Sequence, residues 1–149
     1  MTYPKIFKSL VLSCLLVFAG NLAADDNGTW TYTLSGDEAT ITGCVASCTG
    51  PLEIPSLIAG YSVTSIGAES FKSGQVTSVV IPDTVTSIGR AAFFDSKELR
   101  KVTFGNNLAS IGDSAFGSTQ LTSVTIPDSV TRIGSAAFSS NYLISVVLG

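Results

Sequence analysis

No histidine occurs anywhere in the 149 residues, so the side chains able to do chemistry are carboxylates, hydroxyls, a few cations and the cysteines. Without an imidazole, a Ser-His-Asp or Cys-His device cannot be assembled. Asp83, Asp113 and Asp128 invite an acid/base reading, since two carboxylates on adjacent turns of a coil could act as a hydrolytic pair. They recur at turn positions, however, where aspartate is a common turn former. A positioned acid and base also need a cleft, which the sequence does not indicate. No catalytic residue is assigned, and neither enzyme activity nor a cofactor is expected. Cys44 and Cys48, in the segment CVASC, supply only two thiolates, so no metal site is expected either. Arg100-Lys101 is the one adjacent basic pair, a device for holding an anion.

These residues are positioned by a repeat. Ile-Gly recurs at Ile66-Gly67, Ile88-Gly89, Ile111-Gly112 and Ile133-Gly134, in steps of 22, 23 and 22 residues. Five residues after each isoleucine stands Phe71, Phe93, Phe116 or Phe138. A fixed period of about 20–50 residues is the mark of a solenoid. Each unit opens with a strand, at 76–81, 99–104, 121–126 and 143–148, whose first, fourth and sixth residues are apolar and turn inward. Pro82, Pro127 or Gly105-Asn106 ends it. The second half of each unit (VTSIG at 63 and 85, LASIG at 108, VTRIG at 130) points two more apolar residues inward. The glycine there is expected to take a positive-φ corner, and the phenylalanines to stack as a core spine. The fold class is therefore a repeat solenoid. It is a right-handed coil, mostly parallel β with short helical or 3₁₀ turns, and repeats of about 22 residues.

Outward positions follow from the same alternation. They are the second, third and fifth residues of each strand: Thr77, Ser78 and Val80; Arg100, Lys101 and Thr103; Thr122, Ser123 and Thr125. The expected ligand-binding set is Arg100, Lys101, Thr103, Thr77, Ser78, Thr122 and Ser123. The plain alternative is a solvated charge pair beside Glu98.

Residues 1–24 read as a signal peptide, with Lys5 and Lys8 ahead of an apolar run of eleven at 10–20 and small Ala23-Ala24 at the exit. The uncharged stretch is shorter than the ~20 residues of a membrane span. Its removal takes Cys14 away and shifts the net charge from −3 to −5. The even pair Cys44 and Cys48 then favours a disulfide in an oxidising compartment, with free thiols as the alternative. Residues 25–50 read as an N-terminal cap. Strands at 29–34 and 39–43 turn at Gly36-Asp37, and Trp30 and Tyr32 cover the apolar end. A stacking platform for a sugar or base is the alternative for Trp30. Asn27-Gly28-Thr29 is a glycosylation sequon. Residues 51–149 form the solenoid proper, about four repeats with the last incomplete. The first repeat is stretched by a turn at Ala59-Gly60-Tyr61. The stop at Val147-Leu148-Gly149, in mid-repeat, favours a piece of a longer array.

The unit L-T-S-V-T-I-P-D-S-V-T-x-I-G-x-x-A-F, in residues 121–138, resembles the leucine-rich repeats of the bacterial surface protein A (BspA) type. The resemblance covers about residues 50–149 and departs from ordinary leucine-rich repeats in having no asparagine ladder after the strand. It implies a secreted or surface-exposed scaffold for adhesion or recognition, with an extracellular protein or glycan as partner. It transfers no ligand site. A weakly charged acidic surface does not suit nucleic acid. Two further readings stay open: a structural spacer in a larger surface protein, and an ice- or crystal-binding face on Thr77-Ser78 and Thr122-Ser123. Arg100-Lys101 breaks the column that the last one needs.

Overall fold

Apolar residues that return every 22 or 23 positions bury themselves by coiling, so that each copy lies on the next. A computed structural model describes residues 23–24 and 29–149. The expected signal segment over residues 1–22, including Lys5, Lys8 and Cys14, lies outside the described residues, as do Asn27 and Gly28 of the sequon. The strands are β1 (Ala23–Ala24), β2 (Trp30–Ser35), β3 (Glu38–Cys44), β4 (Thr49–Glu53), β5 (Leu57–Ile58), β6 (Tyr61–Ile66), β7 (Gln75–Val80), β8 (Ser87–Ile88), β9 (Lys101–Thr103), β10 (Ser110–Ile111), β11 (Ser123–Ile126), β12 (Arg132–Ile133) and β13 (Ser145–Leu148).

One wall of the coil is the parallel run β3-β6-β8-β10-β12. Its register sets Ile66 on Ile88, Ile88 on Ile111 and Ile111 on Ile133. The opposite wall is parallel in two pieces, β4-β7-β9 and β11-β13. Between β9 and β11 the ladder lapses, although the Gln120 N–H still donates to the Leu99 carbonyl at 2.9 Å just before it. At the N-terminal end β2 returns antiparallel on β3 through a two-residue Gly36-Asp37 turn, with Gly36 at φ 61°. The stretched first repeat is a hairpin of β5 on β6, its turn Ala59-Gly60 holding φ values of 49° and 89°. Two positive values at the centre of a two-residue turn match the twist of the flanking strands.

The third side of the coil is a chain of tight turns after each Ile-Gly. Among the described residues it contains no helix or 3₁₀ segment, which corrects the expected helical turns. The expected positive-φ glycine is also corrected. Positive φ falls on non-glycine residues three and seven places after each isoleucine: Glu69 and Ser73, Ala91 and Asp95, Ser114 and Ser118, Ala136 and Ser140, all between 52° and 62°. A left-handed residue every fourth position cannot continue a helix. Each such residue costs about 1–2 kcal/mol. The cost is offset by stacking: the N–H groups of Glu69, Phe71 and Ser73 donate to the carbonyls of Arg90, Ala92 and Phe94 at 3.0, 2.7 and 2.8 Å. Ala91, Phe93 and Asp95 do the same to Asp113, Ala115 and Gly117 at 2.8, 2.7 and 2.9 Å. The glycine of Ile-Gly serves closeness instead. A Cβ on Gly112 would lie 2.6 Å from the Arg90 nitrogen of the rung beneath.

Inside, Phe71, Phe93, Phe116 and Phe138 form the spine. Successive rings are 5.0, 5.1 and 5.5 Å apart at interplanar angles of 17°, 6° and 5°. Rungs repeating every ~4.8 Å hold the rings parallel and slightly offset, an allowed stacking geometry. Trp30, which belongs to no repeat, is free to take the other favourable arrangement and meets Phe71 edge-on at 6.3 Å and 89°. It is only 8% exposed, so it closes the apolar end and offers no stacking platform. Beside the spine runs a polar column that the sequence reading missed. The buried Ser96 hydroxyl donates to the Phe71 carbonyl at 2.8 Å. One rung on, the buried Thr119 hydroxyl donates to Phe116 at 3.2 Å. Asn141 then bridges two rungs, donating to the Phe116 and Phe138 carbonyls at 2.7 and 3.0 Å and accepting from the Leu121 N–H at 3.0 Å.

Two outcomes follow for chemical denaturation. Phe93→Ala and Phe116→Ala, each with rings stacked on both faces, should each lose roughly 3–5 kcal/mol. Phe138→Ala, half-buried at the last rung, should lose clearly less; equal losses would count against the spine. Gly112→Ala should lose about 1–3 kcal/mol by overpacking, and an unchanged midpoint would show that the rungs can part to admit a methyl group.

Candidate functional site

The outer face of the strand wall is built by alternation: Val76, Val79 and Ile81 of the first regular rung are buried, and the residues between them face away from the core. Register aligns the copies. Ser78 pairs with Lys101 and Val80 with Thr103. The Arg100 N–H donates to the Thr77 carbonyl at 2.9 Å, which extends the alignment one residue beyond β9. Thr77, Ser78, Arg100, Lys101 and Thr103 therefore share one continuous ladder. Thr122 and Ser123 lie beyond the lapse between β9 and β11, on a rung that pairs forward with β13. Both are exposed on the same wall, next to β9.

Arg100 and Lys101 are exposed, while Thr77 and Ser78 are half-buried. Among the described residues neither cation is engaged by a carboxylate; the ion pairs there are Lys72 with Glu69 and Lys97 with Asp95. Glu98 does not pair with Arg100. It lines a cleft on the neighbouring edge together with Asp95 and Lys97. The guanidinium and ammonium groups thus stand free for an anion, with the Ser78 hydroxyl in the column of Lys101 and Thr103 in the next outward column.

The face extends beyond the residues expected of it. Pro51 pairs with Ser78 and Glu53 with Val80, placing both in outward columns; a register shift between Gly50 and Pro51 hides this from the spacing. At the other end Val147 pairs with Thr125. Ile144 follows Thr122 in its column, is 90% exposed, and donates its N–H to the Thr122 carbonyl at 2.9 Å. Extending the 22-residue step past Thr122 and Thr125 identifies both. The face thus runs from an acidic group at Glu53, through Arg100 and Lys101 at the start of β9, to hydroxyls and then to apolar side chains.

The three aspartates are structural wherever their contacts are seen. Asp83 Oδ1 accepts the Asn106 N–H at 2.7 Å, and Asp113 Oδ1 accepts the Ser135 N–H at 2.7 Å, each from the next rung. Among the described residues no cluster of three His, Cys, Asp or Glu side chains could hold a metal ion. Cys44 and Cys48 are joined as a disulfide with Cα atoms 5.9 Å apart. The bridge closes the loop that links β3 to β4, which is the place the tight-turn side occupies in later rungs. Both half-cystines pack against the core cluster.

The profile of the BspA type leucine rich repeat region matches residues 64–149, in six copies. A leucine-rich repeat protein from Bacteroides capillosus ATCC 29799 superimposes with a TM-score of 0.72 at 31% identity, covering 82% of this chain and 95% of that one. The leucine-rich repeat protein of T. pallidum gives a TM-score of 0.67 at 24% identity, covering 83% and 71%. One from Bacteroides ovatus ATCC 8483 gives 0.61 at 24%, covering 80% of this chain and 39% of that one. At 24% identity the last two share the fold. No curated protein matches the sequence.

Replacing Cys44 and Cys48 together by serine should lower stability by about 2 kcal/mol, the chain-entropy value for so short a loop. Denaturation of the oxidised chain and the double variant checks this. No loss would mean that the bridge constrains nothing that the β3 ladder does not already hold.

Proposed function

Because the chain belongs to the BspA-type leucine-rich repeat family, we propose that it is an exported recognition module that takes an extracellular protein or glycan on the outer face of β7, β9 and β11. The observation that carries this reading is the free cation pair. Arg100 and Lys101 stand exposed, without a carboxylate partner among the described residues, on a chain of net charge −3. A guanidinium offers a rigid fork to a carboxylate or sulfate, and the ammonium adds a mobile point charge. Neighbouring hydroxyls on Ser78, Thr103 and Ser123 supply directional bonds that an acidic glycan or an acidic side chain can use. The rigid strand wall keeps these groups ordered before binding, which lowers the entropy lost on association.

Export is supported by the leader pattern of residues 1–24 and by the cystine, which persists in oxidising compartments. The reading is of a partner held, not transformed, and it is supported by the repeat-scaffold family and by Asp83 and Asp113 each giving Oδ1 to an N–H group of the next rung.

Arg100→Ala with Lys101→Ala should weaken capture of sulfated glycans or matrix protein on immobilised chain by tenfold or more, while the unfolding midpoint stays nearly unchanged. Such exposed positions carry little of the stability. Capture by the double variant equal to that by the parent would place the site elsewhere. No capture by either would leave the array a structural spacer.

A further inference from the structure

The outward face of the strand wall is not uniform. Glu53 is exposed, lies in the column of Val80 and Thr103, and is in no ion pair among the described residues. Rungs stack about 4.8 Å apart, so Glu53 sits about 10 Å along the coil from Thr103. Lys101 stands two residues before Thr103 on the same strand, about 7 Å to the side. Carboxylate and cations are therefore roughly one Debye length apart at about 0.1 M salt, close enough to act on one ligand.

Aliphatic groups complete the neighbourhood. Val80, 44% exposed, occupies the rung between Glu53 and Thr103. Pro51, also exposed, stands two rungs before Lys101 in its column. No residue of β4, β7, β9 or β11 is aromatic, so the face offers a sugar ring no flat apolar surface. Among the described residues no third cation stands in its outward columns. Beyond Arg100 and Lys101 an anionic chain meets Glu53, Glu98 or uncharged hydroxyls.

We propose that this face selects an acidic protein segment over an acidic glycan, with Val80 and Glu53 as the residues that discriminate. The inference rests on the role proposed above for Arg100 and Lys101, and it names the partner they hold. Selectivity draws on a repulsive element as well as an attractive one. An acidic glycan repeats its anions along the chain. With one anion seated on the cations, the next meets Glu53 or no cation at all. A protein segment can group its carboxylates on Arg100 and Lys101 and lay an aliphatic side chain on Val80. That contact takes apolar surface from water on both partners, which a hydroxylated sugar cannot match.

The test uses the oxidised full chain and fluorescence anisotropy with three labelled probes. One is the end-blocked peptide Val-Ser-Glu-Ser-Glu-Ser-Val, which in extended form sets its carboxylates and valines on one side. The second replaces both valines by serine, and the third is a hyaluronan tetrasaccharide with the same number of carboxylates. The valine peptide should bind at least about threefold more tightly than either of the others. Val80→Ser should erase the difference between the two peptides. Glu53→Gln should tighten the tetrasaccharide about twofold at low salt. Both variants should keep the parent's unfolding midpoint. Arg100→Ala with Lys101→Ala should abolish binding of all three probes. If that double variant binds the valine peptide as the parent does, the cation pair is not the site and this inference falls with it. If the double variant loses binding, a tighter hold on the tetrasaccharide, or a valine preference that survives Val80→Ser, overturns this inference alone. No saturable binding of the valine peptide up to millimolar concentration also overturns it.

Discussion

Everything in this molecule depends on the register between successive rungs. Hydrogen bonds run from rung to rung on both strand walls and on the tight-turn side, so each residue is set over its own copy 22 or 23 positions away. A spacing near 4.8 Å leaves each position one way to meet its copy. Phenylalanine must stack in parallel, and serine can bond serine, as Ser65 and Ser87 do at 2.8 Å. Glycine is required where two backbones converge. The turn residues accept left-handed conformations because the ladder on either side holds them there, the circumstance in which local strain persists.

The same constraint governs the ends. An array of identical rungs must expose its first and last members. At the start, the β2-β3 hairpin covers one wall, Trp30 closes the spine edge-on, and a disulfide loop stands where a full turn would be. This cap completes the apolar core but not the hydrogen-bond ladder of the tight-turn side. At the far end Val146 and Leu148, which pair with the buried Val124 and Ile126, are themselves exposed.

The proposed recognition face is what register leaves over. Inward positions are committed to the core, and the turn carbonyls of inner rungs to each other, so the side chains left for a partner are those of the outward columns. There the chain carries an adjacent cation pair, Arg100 just before the short strand β9 and Lys101 at its start. The lapse in the ladder beside β9 and the lone cation pair fall at the same place, which makes the middle of the face its least regular part. That irregularity suits a specific contact and argues against a periodic lattice such as ice.

The sequence by itself determined the solenoid, its period, the inward residues of each strand, the phenylalanine spine and the outward position of Arg100 and Lys101. Each of these depends only on spacing and on strand alternation, which are local and repeated four times. What only the tertiary structure decided concerns relations between rungs. The recurring Ile-Gly pair suggested a positive-φ corner, yet Gly112 is small because the backbone of Arg90 lies beneath it, and the left-handed residues are Ala, Ser, Asp and Glu. The Ser96, Thr119 and Asn141 column escaped notice because the three residues differ in type and share only a place beside the spine. Pro51 and Glu53 were hidden by a one-residue shift. Such features arise from which neighbour a rung has, and a rung's own residues do not encode its neighbour.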